Sequence, residues 1–247
     1  MKKIFIKIVA LFFLIVFSNC TEVTSATAII PKITTPPPVV PLVPKQLTYL
    51  ALGDSYTIGQ SVCETCRFPE QLRKKLSDLN PKNTYISKII ATTGWTTTNL
   101  ISAINAENPS SNYDLVTLLI GVNNQYQNKP FSIYENEFPV LLSKAIALAK
   151  GDKSNVIVVS IPDYAFTPFG KQSSNPSKIS AEIDTYNAFA QKYCLERNIE
   201  FVSITDITRR GFENPLLVAN DGLHPSELTY SLFVEQIFPK ASSAIHN

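Results

Sequence analysis

Short apolar runs alternate with amphipathic stretches along most of the chain. The runs predict five strands, at Thr48–Leu52, Tyr85–Ile90, Leu115–Ile120, Val156–Ile161 and Glu200–Ile204. The stretches between and after them space their apolar residues as helices do, at Pro69–Leu79, Thr97–Ala106, Ser132–Ala149, Ser177–Arg197 and Glu227–Phe238. This alternation predicts an α/β fold in which helices cover both faces of a parallel sheet.

One helix prediction contains a conflict. Pro139 lies inside Ser132–Ala149, and a proline in a helix interior removes one backbone donor and clashes with the preceding turn. We therefore expect either a kink at Pro139 or a helix that begins later than Ser132.

The first 20 residues have the pattern of an export signal. Lys2 and Lys3 precede a mostly apolar run from Ile4 to Phe17, which ends in Ser18-Asn19-Cys20. The run is shorter than the ~20 apolar residues that span a bilayer. Cys20 stands where a bacterial lipoprotein signal has its acylated cysteine, and the match resembles a lipobox in which Phe17 and Asn19 are departures.

We therefore predict a lipoprotein-type signal peptide at residues 1–20, with lipid attached to Cys20. Such a lipid would anchor the protein to a membrane of the bacterial cell envelope, in the periplasm or at the cell surface. The alternative is an ordinary signal peptide that is cut elsewhere. Residues 21–45 are rich in proline and threonine, which predicts a stiff linker, and residues 46–247 form the predicted domain.

Composition adds two constraints. The length of 247 residues and the 45% apolar content suit one domain with a sizeable core. The net charge of +2 gives no sign of a nucleic-acid-binding surface.

Polar residues and glycines follow the predicted strands, at the edge where ligands bind in open parallel sheets. These segments are Gly53-Asp54-Ser55, residues 91–95, residues 121–124, Pro162-Asp163 and the later loop at residues 221–225. Ser55 stands between the end of the first strand and a helix start, so it is the candidate nucleophile. Taken alone, it could equally be a helix N-cap.

A serine nucleophile needs a base, and the chain has 2 histidines. His246 is next to the last residue, where chains are commonly disordered, so His224 is the candidate base. Asp221 precedes it by three residues and could hold the imidazole in the useful tautomer. Candidate donors to an oxyanion are the backbone N–H groups of Ser55 and Gly94 and the side-chain amide of Asn123.

These residues carry a family resemblance. Gly53-Asp54-Ser55, Gly94, Gly121-Val122-Asn123-Asn124 and Asp221-Gly222-Leu223-His224 occur in the order of the sequence blocks of the SGNH hydrolases, also called the GDSL esterase/lipase family. The third block often ends in Asp, and here it ends in Asn124. The resemblance implies a three-layer α/β/α sandwich with a five-stranded parallel sheet in the flavodoxin-like order 2-1-3-4-5. It also implies hydrolysis of esters or thioesters through an acyl-enzyme, with no cofactor and no metal.

Other residues have less specific interpretations. Core packing explains most aromatic residues near the motifs equally well, but Trp95 and Tyr126 lie next to motif residues and are therefore candidates for a substrate pocket. Cys63 and Cys66 are predicted to form a disulfide, since redox catalysis is uncommon for such a pair in an exported protein. Asp54 is expected to cap a helix.

The leading hypothesis is a monomeric esterase that acts on a small-molecule ester, a lipid ester or an acetylated glycan. The main alternative is a surface lipoprotein that keeps the fold and binds a ligand without turnover. A flavodoxin-type FMN-binding protein is a third interpretation. Asp54 argues against it, because a carboxylate is a poor neighbour for the phosphate of FMN.

Overall fold

A computed structural model describes residues 43–246 of the chain. The predictions for the signal peptide, for Cys20 and for nearly all of the linker lie outside these residues. Among the residues that are described, no helix is both long enough and apolar enough to cross a bilayer.

The described residues form a parallel five-stranded sheet. Its strands are β1 (Gln46–Gly53), β2 (Thr84–Ala91), β3 (Leu115–Leu119), β4 (Val156–Val159) and β5 (Glu200–Val202), in the order β2-β1-β3-β4-β5. All four neighbouring pairs are parallel. Both the predicted class and the predicted strand order are confirmed.

Helices form a layer on each side of the sheet. The helices are α1 (Ser55–Ile58), α2 (Phe68–Leu79), α3 (Thr97–Glu107), α4 (Val122–Tyr126), α5 (Phe131–Leu148), α6 (Pro176–Leu195), α7 (Thr205–Thr208) and α8 (Glu227–His246). Helices α2 and α8 pack against each other over one face, and α3, α5 and α6 cover the other. All five residues of β3 are buried between these layers, as expected of a central parallel strand.

Two helices continue through a proline. Helix α5 begins at Phe131 and includes Pro139, so the later start is wrong. Helix α8 continues through Pro239 to His246, beyond the predicted end at Phe238. An interior proline costs about 3 kcal/mol, but each large apolar side chain that becomes buried returns about 1.5–3 kcal/mol. Phe138, Leu141 and Leu142 are all essentially inaccessible beside Pro139.

Candidate active site

The candidate nucleophile lies where β1 turns into α1. A Cβ atom on Gly53 would come within 2.4 Å of the Leu119 carbonyl oxygen, so only glycine fits between β1 and β3 at this point. Asp54 caps α1 by accepting a hydrogen bond from the Tyr56 N–H at 3.0 Å, as predicted. Ser55 is the first residue of α1, and its N–H is therefore among the helix donors that have no intrahelical acceptor.

The predicted base is held by a carboxylate in its own loop. The Nδ1 atom of His224 lies 2.6 Å from Oδ2 of Asp221. The other oxygen, Oδ1, accepts the backbone N–H groups of Leu223 and His224, each at 2.9 Å. Because a carboxylate accepts hydrogen bonds, Nδ1 must carry the proton, and the neutral ring then presents Nε2 as a base.

The same contacts fix the charge of Asp221. Partial burial would raise its pKa, but hydrogen bonds from the Ser61 hydroxyl, the His224 ring and two backbone N–H groups hold the pKa well below its usual range. Asp221 is therefore an anion throughout the neutral range, ready to stabilise an imidazolium.

Ser55 and His224 line one cavity of about 210 Å³. Both residues are largely buried, and the ring of Tyr56 packs against the His224 ring with centroids 5.2 Å apart. Within residues 43–246, neither the Ser55 hydroxyl nor Nε2 of His224 makes a hydrogen bond. Catalytic hydrogen bonds of this kind commonly form only when substrate is present.

Candidate oxyanion donors line the same cavity, since Gly94 and Asn123 are among its lining residues. Gly94 has a φ of +83°, a backbone conformation that favours glycine. Its N–H donates to no group in the described part of the chain. The Asn123 amide donates to the Trp95 carbonyl at 3.1 Å, which uses one of its two hydrogens and leaves the other available.

Asn124, the departure from the family pattern, has a supporting position. It is fully buried, and its amide accepts from the Thr97 N–H at 3.0 Å and donates to the Thr97 hydroxyl at 2.7 Å. These bonds join the start of α4 to the start of α3. They therefore hold the segment that carries Gly94 beside the one that carries Asn123.

Asp54 differs from Asp221 in its electrostatics. Its side chain is completely buried, and Oδ2 has no hydrogen-bond partner among the described residues. Burial raises the pKa of Asp54 to about 7, although the Tyr56 N–H and the nearby Asn123 amide favour the charged form.

Aromatic side chains complete the cavity wall. Tyr126 lines it, together with Tyr164 and Phe169. Trp95, the other predicted pocket residue, is instead half-buried against the core and does not line this cavity. Sequence reasoning missed Tyr164 and Phe169. Both lie in the loop that follows β4, so their position after a strand end was the available signal.

The three cysteines that the structure describes comprise one disulfide pair and one free thiol. Cys63 and Cys66 are joined by a disulfide in the loop between α1 and α2. Cys194 is a free, buried thiol in α6, and burial raises its pKa to about 12, so it stays protonated. Cys20 lies outside the described residues.

Comparisons with known proteins identify the family of the chain. A sequence model of the GDSL-like Lipase/Acylhydrolase family matches residues 51–232. No curated protein matches the chain in sequence.

Solved structures share the fold at low sequence identity. A lipolytic protein of the G-D-S-L family from Veillonella parvula is 18% identical, with a TM-score of 0.58 over 78% of this chain and 97% of its own. An acetyl xylan esterase from Geobacillus stearothermophilus is 16% identical, with a TM-score of 0.59 over 81% and 96%. A lipase/acylhydrolase from Enterococcus faecalis is 18% identical, with a TM-score of 0.59 over 80% and 96%.

Proposed function

The chain belongs to the GDSL-like lipase/acylhydrolase family and is an ester-hydrolysing serine hydrolase, and we propose that it acts through a covalent acyl-enzyme on Ser55. The observation that carries this proposal is the shared cavity. It joins the Ser55 hydroxyl to an imidazole whose Nδ1 lies 2.6 Å from the Asp221 carboxylate.

In the first half of the reaction, Ser55 Oγ attacks the acyl carbon while Nε2 of His224 takes the hydroxyl proton. The carbonyl oxygen becomes an oxyanion, which accepts hydrogen bonds from the Ser55 and Gly94 N–H groups and the Asn123 amide. The C–O bond to the leaving alcohol then breaks, and the imidazolium returns its proton to that oxygen.

In the second half, water takes the place of the alcohol. His224 accepts a proton from the water as its oxygen attacks the acyl carbon, and returns that proton to Ser55 Oγ as the acyl bond breaks. The products are a carboxylic acid and the free enzyme. Asp221 stays ionised throughout and stabilises the imidazolium that forms in each half.

The size of the cavity favours a small acyl group. At about 210 Å³ it is smaller than the ~300–1,000 Å³ of typical ligand sites. The side chains of Val122, Tyr126 and Leu223 give much of its wall an apolar surface, which suits a short acyl group such as acetyl.

Hydrolysis of p-nitrophenyl esters of increasing chain length tests this function. We expect turnover of the acetate, little turnover of the octanoate, and none of either by Ser55→Ala. Acid-quenched mixtures analysed by mass spectrometry should show the acyl group on the peptide that contains Ser55. Full activity in Ser55→Ala would exclude the mechanism.

We also propose that the enzyme is a monomer exported to the cell envelope and anchored through a lipid on Cys20. The signal-like sequence of residues 1–20 supports the anchor. Cys20→Ala should move the protein from the membrane fraction to the soluble fraction, with esterase activity unchanged. Equal membrane association of the two proteins would contradict the anchor.

A further inference from the structure

A second, larger depression adjoins the catalytic cavity. It has a volume of about 400 Å³, and Tyr126, Tyr164 and Phe169 line both it and the catalytic cavity. It continues into a third depression of about 310 Å³, with which it shares Gln125, Asn128, Lys178 and Glu182. We call the second and third depressions together the side groove.

The polar groups of the side groove are fixed by one another. Gln125 is buried, and its amide oxygen accepts from the Tyr164 hydroxyl at 2.9 Å. Its amide nitrogen donates to Glu182 at 2.8 Å, and Lys178 lies 3.6 Å from the other Glu182 oxygen. A continuous set of donors and acceptors therefore leads from the wall of the catalytic cavity into the side groove.

The chemistry of this lining favours a neutral occupant that is rich in hydroxyl groups. A hydrocarbon chain would lie against the amide, ammonium and carboxylate groups without bonding to them, so it would gain none of the further hydrogen bonds, worth about 1 kcal/mol each, that these groups can still make. The charged side chains have both signs, since Lys129 and Lys178 line the groove together with Glu182, so the lining is not matched to a strongly charged chain of either sign. A neutral molecule rich in hydroxyl groups can bond to the amide and to the charged groups of both signs, while its C–H faces contact Tyr126 and Phe169, which are 51% and 37% exposed.

We propose that the side groove binds the alcohol part of the ester and that this alcohol is a neutral glycan chain. The proposal rests on the proposed function, because it takes Ser55 as the reacting group. It adds that specificity comes from the leaving group as well as from the acyl group.

The experiment compares acetylated xylotetraose with p-nitrophenyl acetate. The double variant Lys178→Ala/Glu182→Ala removes both charges of one groove pair. The matched control, Lys192→Ala/Glu196→Ala, removes an i,i+4 pair at the other end of α6, where the distance is 3.9 Å. The groove variant should lower kcat/KM for the tetraose about 10-fold, as the loss of one or two hydrogen bonds predicts. The control should not lower it, and the p-nitrophenyl acetate value should change less than about 2-fold in both.

Two results would overturn the glycan proposal while leaving the enzyme a serine esterase. In one, the wild-type protein hydrolyses p-nitrophenyl acetate but gains nothing from the tetraose. In the other, the groove variant has a kcat/KM that is lowered by the same factor for the tetraose and for p-nitrophenyl acetate. Absence of Ser55-dependent hydrolysis of any ester would instead remove the proposed function itself.

An independent observation concerns Ser61, on the other side of Asp221. The Ser61 hydroxyl donates to Oδ2 of Asp221 at 2.6 Å, across a sequence separation of 160 residues. This is the same oxygen that faces Nδ1 of His224. Ser61 follows α1 by three positions, so the bond connects the nucleophile segment to the loop that holds the base.

The backbone at Ser61 is strained, and its neighbours hold it in place. Ser61 has a φ of +69°, which is unfavourable for any residue except glycine and, to a lesser extent, asparagine and aspartate. On one side of it the Gln60 N–H bonds to the Ser55 carbonyl at 3.0 Å, and on the other the Val62 N–H bonds to the Gly59 carbonyl at 3.2 Å. The Cys63–Cys66 disulfide then closes the next turn of this loop. A glycine would fit this backbone better, so the hydroxyl is the feature that serine adds.

We infer that Ser61 is a positioning residue, which fixes the Asp221 carboxylate so that this carboxylate can orient His224. The inference also rests on the proposed function, since it assigns catalytic work to Asp221 and His224.

Ser61→Gly separates positioning from folding because it relaxes the backbone and removes only the hydroxyl. We expect an unchanged or higher Tm, a kcat for p-nitrophenyl acetate that is about 5- to 10-fold lower, and an unchanged KM. Ser61→Asn should recover most of kcat, because asparagine tolerates this φ and its amide can donate to Asp221. A Gly variant with wild-type kcat, or with kcat and Tm lowered together, would overturn the assignment, as would failure of the Asn variant to recover kcat. Activity that does not depend on Ser55 at all would instead refute the proposed function.

Discussion

Two loops at the same edge of the sheet each place an aspartate near the candidate nucleophile. The surroundings of the two carboxyl groups shift their pKa values in opposite directions. Asp54, after β1, is completely buried, accepts one backbone N–H and has a pKa raised to about 7. Asp221, before α8, has a side chain that is 30% exposed and accepts four hydrogen bonds, and its pKa is lowered.

The difference shows how environment assigns roles to identical side chains. A carboxylate that must stabilise an imidazolium has to be an anion, and donors supply that condition at Asp221. A carboxylate that caps a four-residue helix needs only one accepting oxygen, which Asp54 provides in either protonation state.

Removing the charge at each site is the strongest test of this difference between the two aspartates. Asp221→Asn should lower kcat by roughly 10³- to 10⁴-fold, because the imidazole loses both the favoured tautomer and the stabilising anion. Asp54→Asn should lower kcat less than about 10-fold, since an asparagine oxygen can still cap α1. Steady-state hydrolysis of p-nitrophenyl acetate measures both, and equal losses in the two variants would show that the aspartates do not have separate roles.

The oxyanion side provides the next test. Asn123→Ala removes a side-chain donor and should lower kcat by about 100- to 1000-fold with a small change in KM. Asn105→Ala is a suitable control, because Asn105 is exposed, its amide oxygen accepts from Lys144 at 2.6 Å, and it does not line the catalytic cavity. Should Asn123→Ala change KM alone, the amide would contribute to ground-state binding and not to the oxyanion.

The two aspartates should also differ in how they couple stability to pH. Because Asp54 has a raised folded-state pKa, the folded protein holds this proton more tightly than the unfolded chain does. Its contribution to the free energy of unfolding is therefore full below about pH 4 and is lost as pH rises to about 7. The loss is on the order of 4 kcal/mol.

Asp54→Asn should therefore be more stable than the wild type at pH 8, and the difference should shrink towards pH 4. Urea unfolding at several pH values measures it, with Asp78→Asn as a control at an exposed position whose side chain is 63% accessible. A difference between Asp54→Asn and wild type that stays constant with pH would show that Asp54 is ionised at little cost.

Lowering the pH tests the contribution of the Asp221 carboxylate to the free energy of unfolding, and we expect this to be the smallest of the predicted effects. Asp221 has a depressed folded-state pKa, so the stability it contributes is present above about pH 4 and is lost as pH falls further. Asp221→Asn should therefore be less stable than the wild type at pH 6, and the difference between their free energies of unfolding should decrease as the pH is lowered to 3. An increase of this difference in urea unfolding would contradict the prediction.

Much of this arrangement could be predicted because it follows from local pattern. The buried runs locate the strands, and the residues after each run, such as Ser55 and Asn123, reach one edge of the sheet. His224 was found by elimination, since the other histidine is next to the end of the chain.

The remainder depends on tertiary contacts that no local pattern encodes. Ser61 meets Asp221 only after the chain has folded. The strand pattern places Tyr164 and Phe169 after a strand end, but it does not show that their side chains line the cavity. Helix α5 passes through Pro139 because the core buries its neighbours Phe138 and Leu141. Helix propensity alone predicts that Pro139 interrupts the helix, because it does not include the burial of these neighbours.

Labelling with a fluorophosphonate probe, followed by mass spectrometry of the digested protein, tests the central claim most directly. We predict one adduct, on Ser55, that is absent from Ser55→Ala and forms far more slowly in His224→Ala, because only an activated serine attacks phosphorus at an appreciable rate. A protein that stays unlabelled at Ser55, or that labels equally fast without His224, would contradict the account.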